Sequence, residues 1–329
     1  MTSLSRKVLV TGASGFLGSE IVRLASAMGW RVRVLVRNPQ KHVDGVETVQ
    51  GDIADSVVLC RACEGVSAVV HAAGLAHVFG SAAKDFARFH AVNATGTAKL
   101  IDAAVEAGVP HIVLVSSVSV YGDYLGTKCD ETAPCHPKGP YATSKWQAEI
   151  EGTERILAAQ ASLTILRMAT IYGEGDRGNV AKLIGALGQG QFIWPGSGLN
   201  QKSLIYKQDA ARACLAALER PVSGTEIFNV TAQPATMREI VAAICHALGR
   251  PIPRFGIPSA VLETAAAIFH WIGDPGQLGQ RLRKFVHDDV YDGAKFADAF
   301  DFSPRVSLEQ GLFREVKSIK DIYSNDGVM

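Results

Sequence analysis

Lys7-Val-Leu-Val-Thr11-Gly12-Ala-Ser-Gly15-Phe-Leu-Gly18 begins as an apolar β-branched run, breaks into three glycines spaced by three, and passes directly into residues with helical periodicity. A strand ending in such a loop and feeding a helix is the entrance to a parallel βαβ unit. Gly12 permits the tight turn, Gly15 lets phosphates reach the backbone, and Gly18 lets the helix close on the strand. The helix start presents unpaired N–H groups to an anion. The expected ligand is a dinucleotide pyrophosphate, held through Gly12, Ser14, Gly15, Phe16, Leu17 and Gly18.

The pattern repeats outward from this loop. Lys7 to Val10, Arg31 to Val36, Glu47 to Gln50, Ala68 to His71, His111 to Ser116 and Leu163 to Leu166 read as buried strands. Between them, Phe16 to Met28, Ser56 to Cys63, Asp85 to Ala107 and Ala142 to Ala159 carry helical spacing. Alternation of this kind predicts an α/β fold, a doubly wound parallel sheet of Rossmann type covered by helices on both faces. This dinucleotide domain is expected over 1–170. Past it, Gly and Pro become frequent and the strand rhythm fades, predicting a smaller, mainly helical substrate lobe over 171–329. Ser203 to Tyr206 and Glu226 to Val230 are expected to add strands to that lobe or return to the main sheet, and Tyr323 to Met329 reads as a loose tail.

Composition narrows the possible partners. The 329 residues carry 33 basic and 32 acidic side chains, a net charge of +1, which gives no clustered cation excess for a nucleic acid. The N-terminal residues include no apolar run long enough for a secretory signal, so a cytoplasmic location is expected. The most apolar later window, Ala260 to Ile272, is too short to span a bilayer and contains Glu263 and His270. It reads as a packed or interface helix, since a basic polar face is missing. The six cysteines read as free thiols, Cys60-Arg-Ala-Cys63 included, and no metal is expected because no second ligand pair accompanies them.

Cofactor choice turns on the end of the second strand. An acid there would bind a ribose 2′-hydroxyl, but the chain reads Leu35-Val36-Arg37-Asn38, and a cation suits a 2′-phosphate. NADP is therefore expected, with NAD as the alternative. Asp52 and Ile53 after the third strand are placed at the adenine. The small residues Ala72, Ala73 and Gly74 after the fourth leave room for the cofactor to cross the strand ends.

Tyr141-Ala-Thr-Ser-Lys145 opens a helix behind Pro140, and the i, i+4 spacing puts phenol and ammonium on one face. A phenol is a weak base at neutral pH. A nearby cation favours its anion and brings it toward working pH. Ser116-Ser117-Val-Ser119-Val-Tyr121-Gly122 ends the fifth strand, on the side where a parallel sheet presents its ligands. A hydroxyl there can hold a substrate oxygen while the phenol moves a proton.

Taken together, these segments resemble the extended short-chain dehydrogenase/reductases, specifically the NAD(P)-dependent nucleotide-sugar epimerase/dehydratase group. Val92-Asn93-Ala-Thr-Gly96-Thr97, Asp292-Gly-Ala-Lys295 and Pro304 to Gly311 extend the likeness over nearly the whole chain. The resemblance implies Tyr141 as acid/base, Lys145 as the ribose-binding cation that tunes it, and Ser117 as anchor of the reacting oxygen. It also implies that Asn93 braces the site, that Ser119, Asn179 and Lys202 join Ser117 on the substrate, and that the chain forms a homodimer. Members that dehydrate carry an Asp-Glu pair where this chain has Val118 and Ser119, so dehydration is not expected. What remains is 4-epimerisation or 4-ketoreduction of a nucleotide-sugar. The alternatives are ketone reduction on a steroid, flavonoid or acyl substrate and, more remotely, a non-catalytic dinucleotide sensor.

Overall fold

The computed structural model describes residues 6–38, 45–76, 82–123, 129–258, 260–261, 264 and 287–325. In chain order the first half runs β1 (Lys7–Thr11), α1 (Phe16–Ala27), β2 (Arg31–Val36), β3 (Glu47–Gln50), α2 (Ser56–Cys63), β4 (Ala68–His71), α3 (Ala82–Phe89), α4 (Gly96–Glu106), β5 (His111–Ser117), α5 (Gly139–Leu157) and β6 (Ser162–Met168). After these come β7 (Thr170–Tyr172), α6 (Asn179–Gly188), β8 (Trp194–Pro195), β9 (Gln201–Lys202), β10 (Leu204–Tyr206), α7 (Lys207–Glu219), β11 (Thr225–Val230), β12 (Ala235–Thr236), α8 (Met237–Leu248) and β13 (Gly256–Ile257). Helices Ala294–Phe300 and Leu308–Asn325 close the described chain.

The main sheet has seven parallel strands in the order β11-β6-β5-β4-β1-β2-β3. Strand order reverses between β1 and β4, which opens a crevice at their carboxyl ends. Both faces of the sheet are buried, as the period-two alternation of β1 demonstrates. Val8 and Val10 join a core formed with α1 and α7, whereas Leu9 joins the opposite core with α2 and α4. A third core lies away from the sheet, where Tyr172, Ile184, Leu204, Tyr206, Val241, Ile244 and Leu312 meet.

Two segments expected to be ambiguous are resolved. β11 returns to the main sheet beside β6, and β10 pairs with β7. The smaller region is mainly helical, as expected, and short strands pair two by two within it. The predicted tail starts too early: the last helix continues to Asn325. The helix expected over Asp85 to Ala107 is interrupted by a π-helical turn at His90–Thr95, the kind of bulge that re-aims side chains near functional sites. Apart from Ala260, Val261 and Thr264, the apolar window Ala260 to Ile272 lies outside the described residues.

Candidate active site

At the strand-to-helix loop the glycines are required by contact. A Cβ on Gly18 would lie 2.0 Å from the Gly12 carbonyl oxygen, and one on Gly12 would lie 2.6 Å from the Ala73 nitrogen. Gly12 also has φ +72°, a region that other residues enter at a cost. No side chain caps α1, and Ser14 and Gly15 are exposed at its start, so the N-terminus faces outward as an anion cradle. Leu17 turns its side chain into the core, leaving only its backbone to a ligand. At the other end of the crevice Arg37 is exposed immediately after β2. Asp52 is exposed too, and its carboxylate accepts from the Ala54 N–H at 2.9 Å. Ile53 is buried against Gly96.

The β4 end is organised by His71, which the sequence identified only as part of a motif. Its Nδ1 lies 2.6 Å from Thr11 Oγ1 and its Nε2 lies 2.9 Å from Thr97 Oγ1. The Thr97 hydroxyl donates to the Asn93 carbonyl at 2.5 Å, so it accepts from Nε2–H, and Thr11 donates to Nδ1. Burial, reinforced by the Lys145 charge, pushes His71 down to about 3, which keeps the ring neutral and the tautomer fixed. The ring therefore ties β1, β4 and the start of α4 together.

The π-helical turn turns Asn93 inward. Its Oδ1 accepts from the Leu75 N–H at 2.7 Å, and its Nδ2 donates to the Leu75 carbonyl at 3.0 Å and to Ser144 Oγ at 2.9 Å. Ser144 in turn donates to the Tyr141 carbonyl at 2.8 Å. Asn93 thus clamps the chain beyond β4 to the first turn of α5, which carries Tyr141 and Lys145. A Cβ on Gly74 would sit 3.2 Å from Asn93 Oδ1 and 3.3 Å from Lys145 Nζ, so the missing side chain lets the backbone pack closely against the ammonium and the amide.

Burial holds the Tyr141 phenol above its ordinary value, and the nearby Ser117 hydroxyl opposes that rise. Lys145 is not among the groups that shift the phenol, so burial sets the direction of the shift. Lys145 donates from Nζ to the Val115 carbonyl at 2.8 Å. Burial pushes it down to about 8, against the opposing pull of Glu149 one turn later. Ser119, next to Ser117, has a buried Oγ without a hydrogen-bond partner, a cost normally met by a ligand or water. Behind Ser117, Ser116 donates to Glu149 at 2.5 Å, and Arg167 binds both Glu149 oxygens through Nε at 3.1 Å. Arg167 also donates to the Tyr121 hydroxyl at 2.9 Å. Sequence reasoning missed this buried pair, since Glu149 reads as an ordinary helix residue and Arg167 as a strand end.

The structure thus assembles Ser117, Ser119, Tyr141, Lys145, Gly74 and Asn93 in one place. Asn179 and Lys202 belong to the smaller region. Asn179 starts α6 and is exposed, and Lys202 donates to the His287 carbonyl at 3.0 Å and lies 3.9 Å from Asp289. The six cysteines are free thiols, and no cluster able to hold a metal occurs among the described residues. Cys63 is buried and pushed up to about 12, which leaves it unreactive.

A model of the NAD dependent epimerase/dehydratase family matches residues 8–231. The chain belongs to that family. Among its curated relatives, this epimerase/dehydratase is 30% identical to the N-acetyl-alpha-D-glucosaminyl-diphospho-ditrans,octacis-undecaprenol 4-epimerase of Escherichia coli O157:H7, with 95% of each chain covered. It is 30% identical to the 2-alkyl-3-oxoalkanoate reductase of Stenotrophomonas maltophilia, over 94% of this chain and 98% of the relative. The solved Thermus thermophilus UDP-glucose 4-epimerase in complex with NAD superposes with a TM-score of 0.75 at 26% identity, over 95% of this chain and 99% of that one.

Proposed function

We propose that this epimerase/dehydratase carries out reversible hydride transfer at the C4 carbinol of a sugar bound through a diphosphate, as a 4-epimerase with Tyr141 as acid/base. The observation that carries the reading is the placement of Ser117, at the end of β5, next to Tyr141 and Lys145 of α5, with Lys145 Nζ bonded to the Val115 carbonyl of the same strand. The glycine cradle and the uncapped start of α1 fit a dinucleotide. Bound NAD(P) supplies the hydride acceptor and, when oxidised, a positive charge that favours the phenolate. Tyr141 Oη then takes the carbinol proton, Ser117 Oγ holds the same oxygen, and the orphan hydroxyl of Ser119 bonds another sugar oxygen. Lys145 holds its ammonium near the phenol and stabilises its anionic form. Lys202 contributes charge toward the diphosphate, though as a point cation without the fork of an arginine.

The relative that acts on an undecaprenol-linked sugar supports a diphosphate whose far side is a polyprenol. The UDP-glucose epimerase supports a nucleotide there. A second reading, an NADPH-dependent ketoreductase of a nucleotide-sugar or acyl ketone in a cytoplasmic setting, is favoured by the exposed Arg37 and by the oxoalkanoate reductase. Tyr141→Phe should lower kcat by roughly 10²–10⁴-fold while dinucleotide affinity stays within about threefold. Retained turnover would overturn the acid/base role. Nucleotide extraction from the purified protein separates the readings: tightly retained NAD supports epimerisation, and exchangeable NADP supports net reduction.

A further inference from the structure

The turn between β7 and α6, residues 173–178, meets the cofactor cradle at Gly175. This glycine is exposed, has φ +89°, and stands beside Phe16, with a Cβ on it falling 3.9 Å from the ring. Phe16 opens α1 behind the uncapped Gly15, so its N–H is one of the donors presented to a pyrophosphate. The turn is fastened on both sides of Gly175. Before it, the Gly173 N–H donates to Glu315 at 3.0 Å and the Tyr206 hydroxyl donates to Glu174 Oε2 at 2.5 Å. After it, the Asp176 carboxylate accepts from the Gly178 and Ala181 N–H groups at 2.7 and 3.2 Å, which sets the start of α6 and with it Asn179.

Lys207 joins the turn to the cradle. It is the first residue of α7, a helix that shares one core with α1. Its Nζ donates to the Glu174 carbonyl at 2.7 Å and lies 3.5 Å from the Glu174 carboxylate. The same ammonium stands 5.7 Å from the centre of the Phe16 ring, within cation–π range. A Cβ on Gly173, which has φ +137°, would lie 2.9 Å from the Tyr206 ring and 3.2 Å from Lys207 Cγ, so the backbone of the turn packs directly on the β10–α7 junction. A cation in the first turn of a helix opposes the helix dipole, where an acid would be favoured. Lys207 therefore does little for α7 itself, and its contacts are spent on the turn and on Phe16.

We propose that Lys207 is a positioning residue for the dinucleotide: with Glu174 it latches the 173–178 turn onto Phe16 and thereby slows release of the cofactor. The inference deepens the proposed function and rests on its dinucleotide cradle, since epimerisation needs one nicotinamide kept through both removal and return of the hydride. The latch is a pair of chain segments and not a rigid wall. Glu174 holds the ammonium through a backbone carbonyl and a carboxylate at once, so the turn cannot leave Phe16 without breaking both. Because the far end of the turn is the start of α6, the same fastening fixes Asn179 relative to the cradle.

The test is stopped-flow displacement of NADH and of NADPH from the full chain, followed by nicotinamide fluorescence, alongside melts of the ligand-free proteins. Lys207→Met should speed release about tenfold, and Glu174→Gln about threefold because the bond to the Glu174 carbonyl survives. The double variant should release no faster than Lys207→Met, since the two residues act as one unit. Lys207→Arg should recover most of the wild-type rate. Unchanged release in Lys207→Met, or independent additive effects of the two substitutions, would overturn the proposal. So would an acceleration that is equal in Lys207→Arg and follows a fall in melting temperature, because Lys207 would then only support the fold. A wild-type chain that binds neither dinucleotide overturns the cofactor reading and the latch with it. Binding with accelerated release in the variants but no turnover of a UDP-hexose by the wild type counts against the sugar chemistry and supports the latch.

Discussion

Glu315 is fully buried on the last helix, where its Oε2 accepts from the Gly173 N–H at 3.0 Å and its Oε1 has no partner. Burial, with Asp176 and Glu174 adding to it, pushes this carboxyl up to about 8. The folded chain therefore binds a proton between the ordinary carboxylate value and pH 8 that the unfolded chain releases. Its contribution to stability is complete below about 4.5 and is lost as pH rises toward 8. Glu315→Gln keeps the acceptor and removes the charge, so its melting temperature should exceed wild type by a few degrees above pH 8 and match it in acid. Thermal melts across pH check this, and an offset independent of pH would refute it. Lys145 bears on turnover. In the proposed mechanism its ammonium favours the phenolate, and with its value at about 8 that charge is lost as pH rises, so kcat should decline on the alkaline side near pH 8. A pH–rate profile flat from 7 to about 10 would exclude the tuning role.

At the level of elements, α5, β5 and β6 are joined by the buried pair of Glu149 and Arg167, each 2% exposed at the side chain. Arg167 keeps its proton against the pull of burial because Glu149 binds it, and Tyr121 passes the chain on to Asn229 of β11 through a 2.8 Å bond. Glu149→Gln leaves a buried guanidinium without its counter-charge and should cost about 3–5 kcal/mol in urea unfolding. Pairing that change with Arg167→Met should recover a substantial part of the loss, since a buried pair replaced by apolar groups costs much less than a broken one. Equal destabilisation by the single and double variants would show that packing, not charge, controls the site. The sequence displayed β5 and α5 clearly through their hydrophobic periods. It could not display the link between them, because Ser116, Glu149 and Arg167 are distant along the chain and become neighbours only when the strands align.

For the whole molecule, the expected assembly is a homodimer through the α3–α4 and α5 region, and sedimentation velocity at micromolar concentration should return twice the chain mass. A monomer at all concentrations would remove that expectation. The Rossmann architecture and glycine cradle, along with the order of Ser117, Tyr141 and Lys145, could be read from the sequence because each is written in local spacing: period two for strands, period 3.6 for helices, and glycines where backbone meets backbone. The substrate side was less legible. Asn179 and Lys202 come from the smaller region, and their relation to the proposed catalytic residues depends on how separate layers fold over one another. By itself the sequence determined the strands, the cofactor loop and the types of residue that carry the chemistry. Only the tertiary structure decided the neutral His71 tautomer, the inward turn of Asn93, the raised Tyr141 phenol and the buried pair of Glu149 and Arg167. These depend on burial and on contacts between distant segments, and local sequence has no means of recording them.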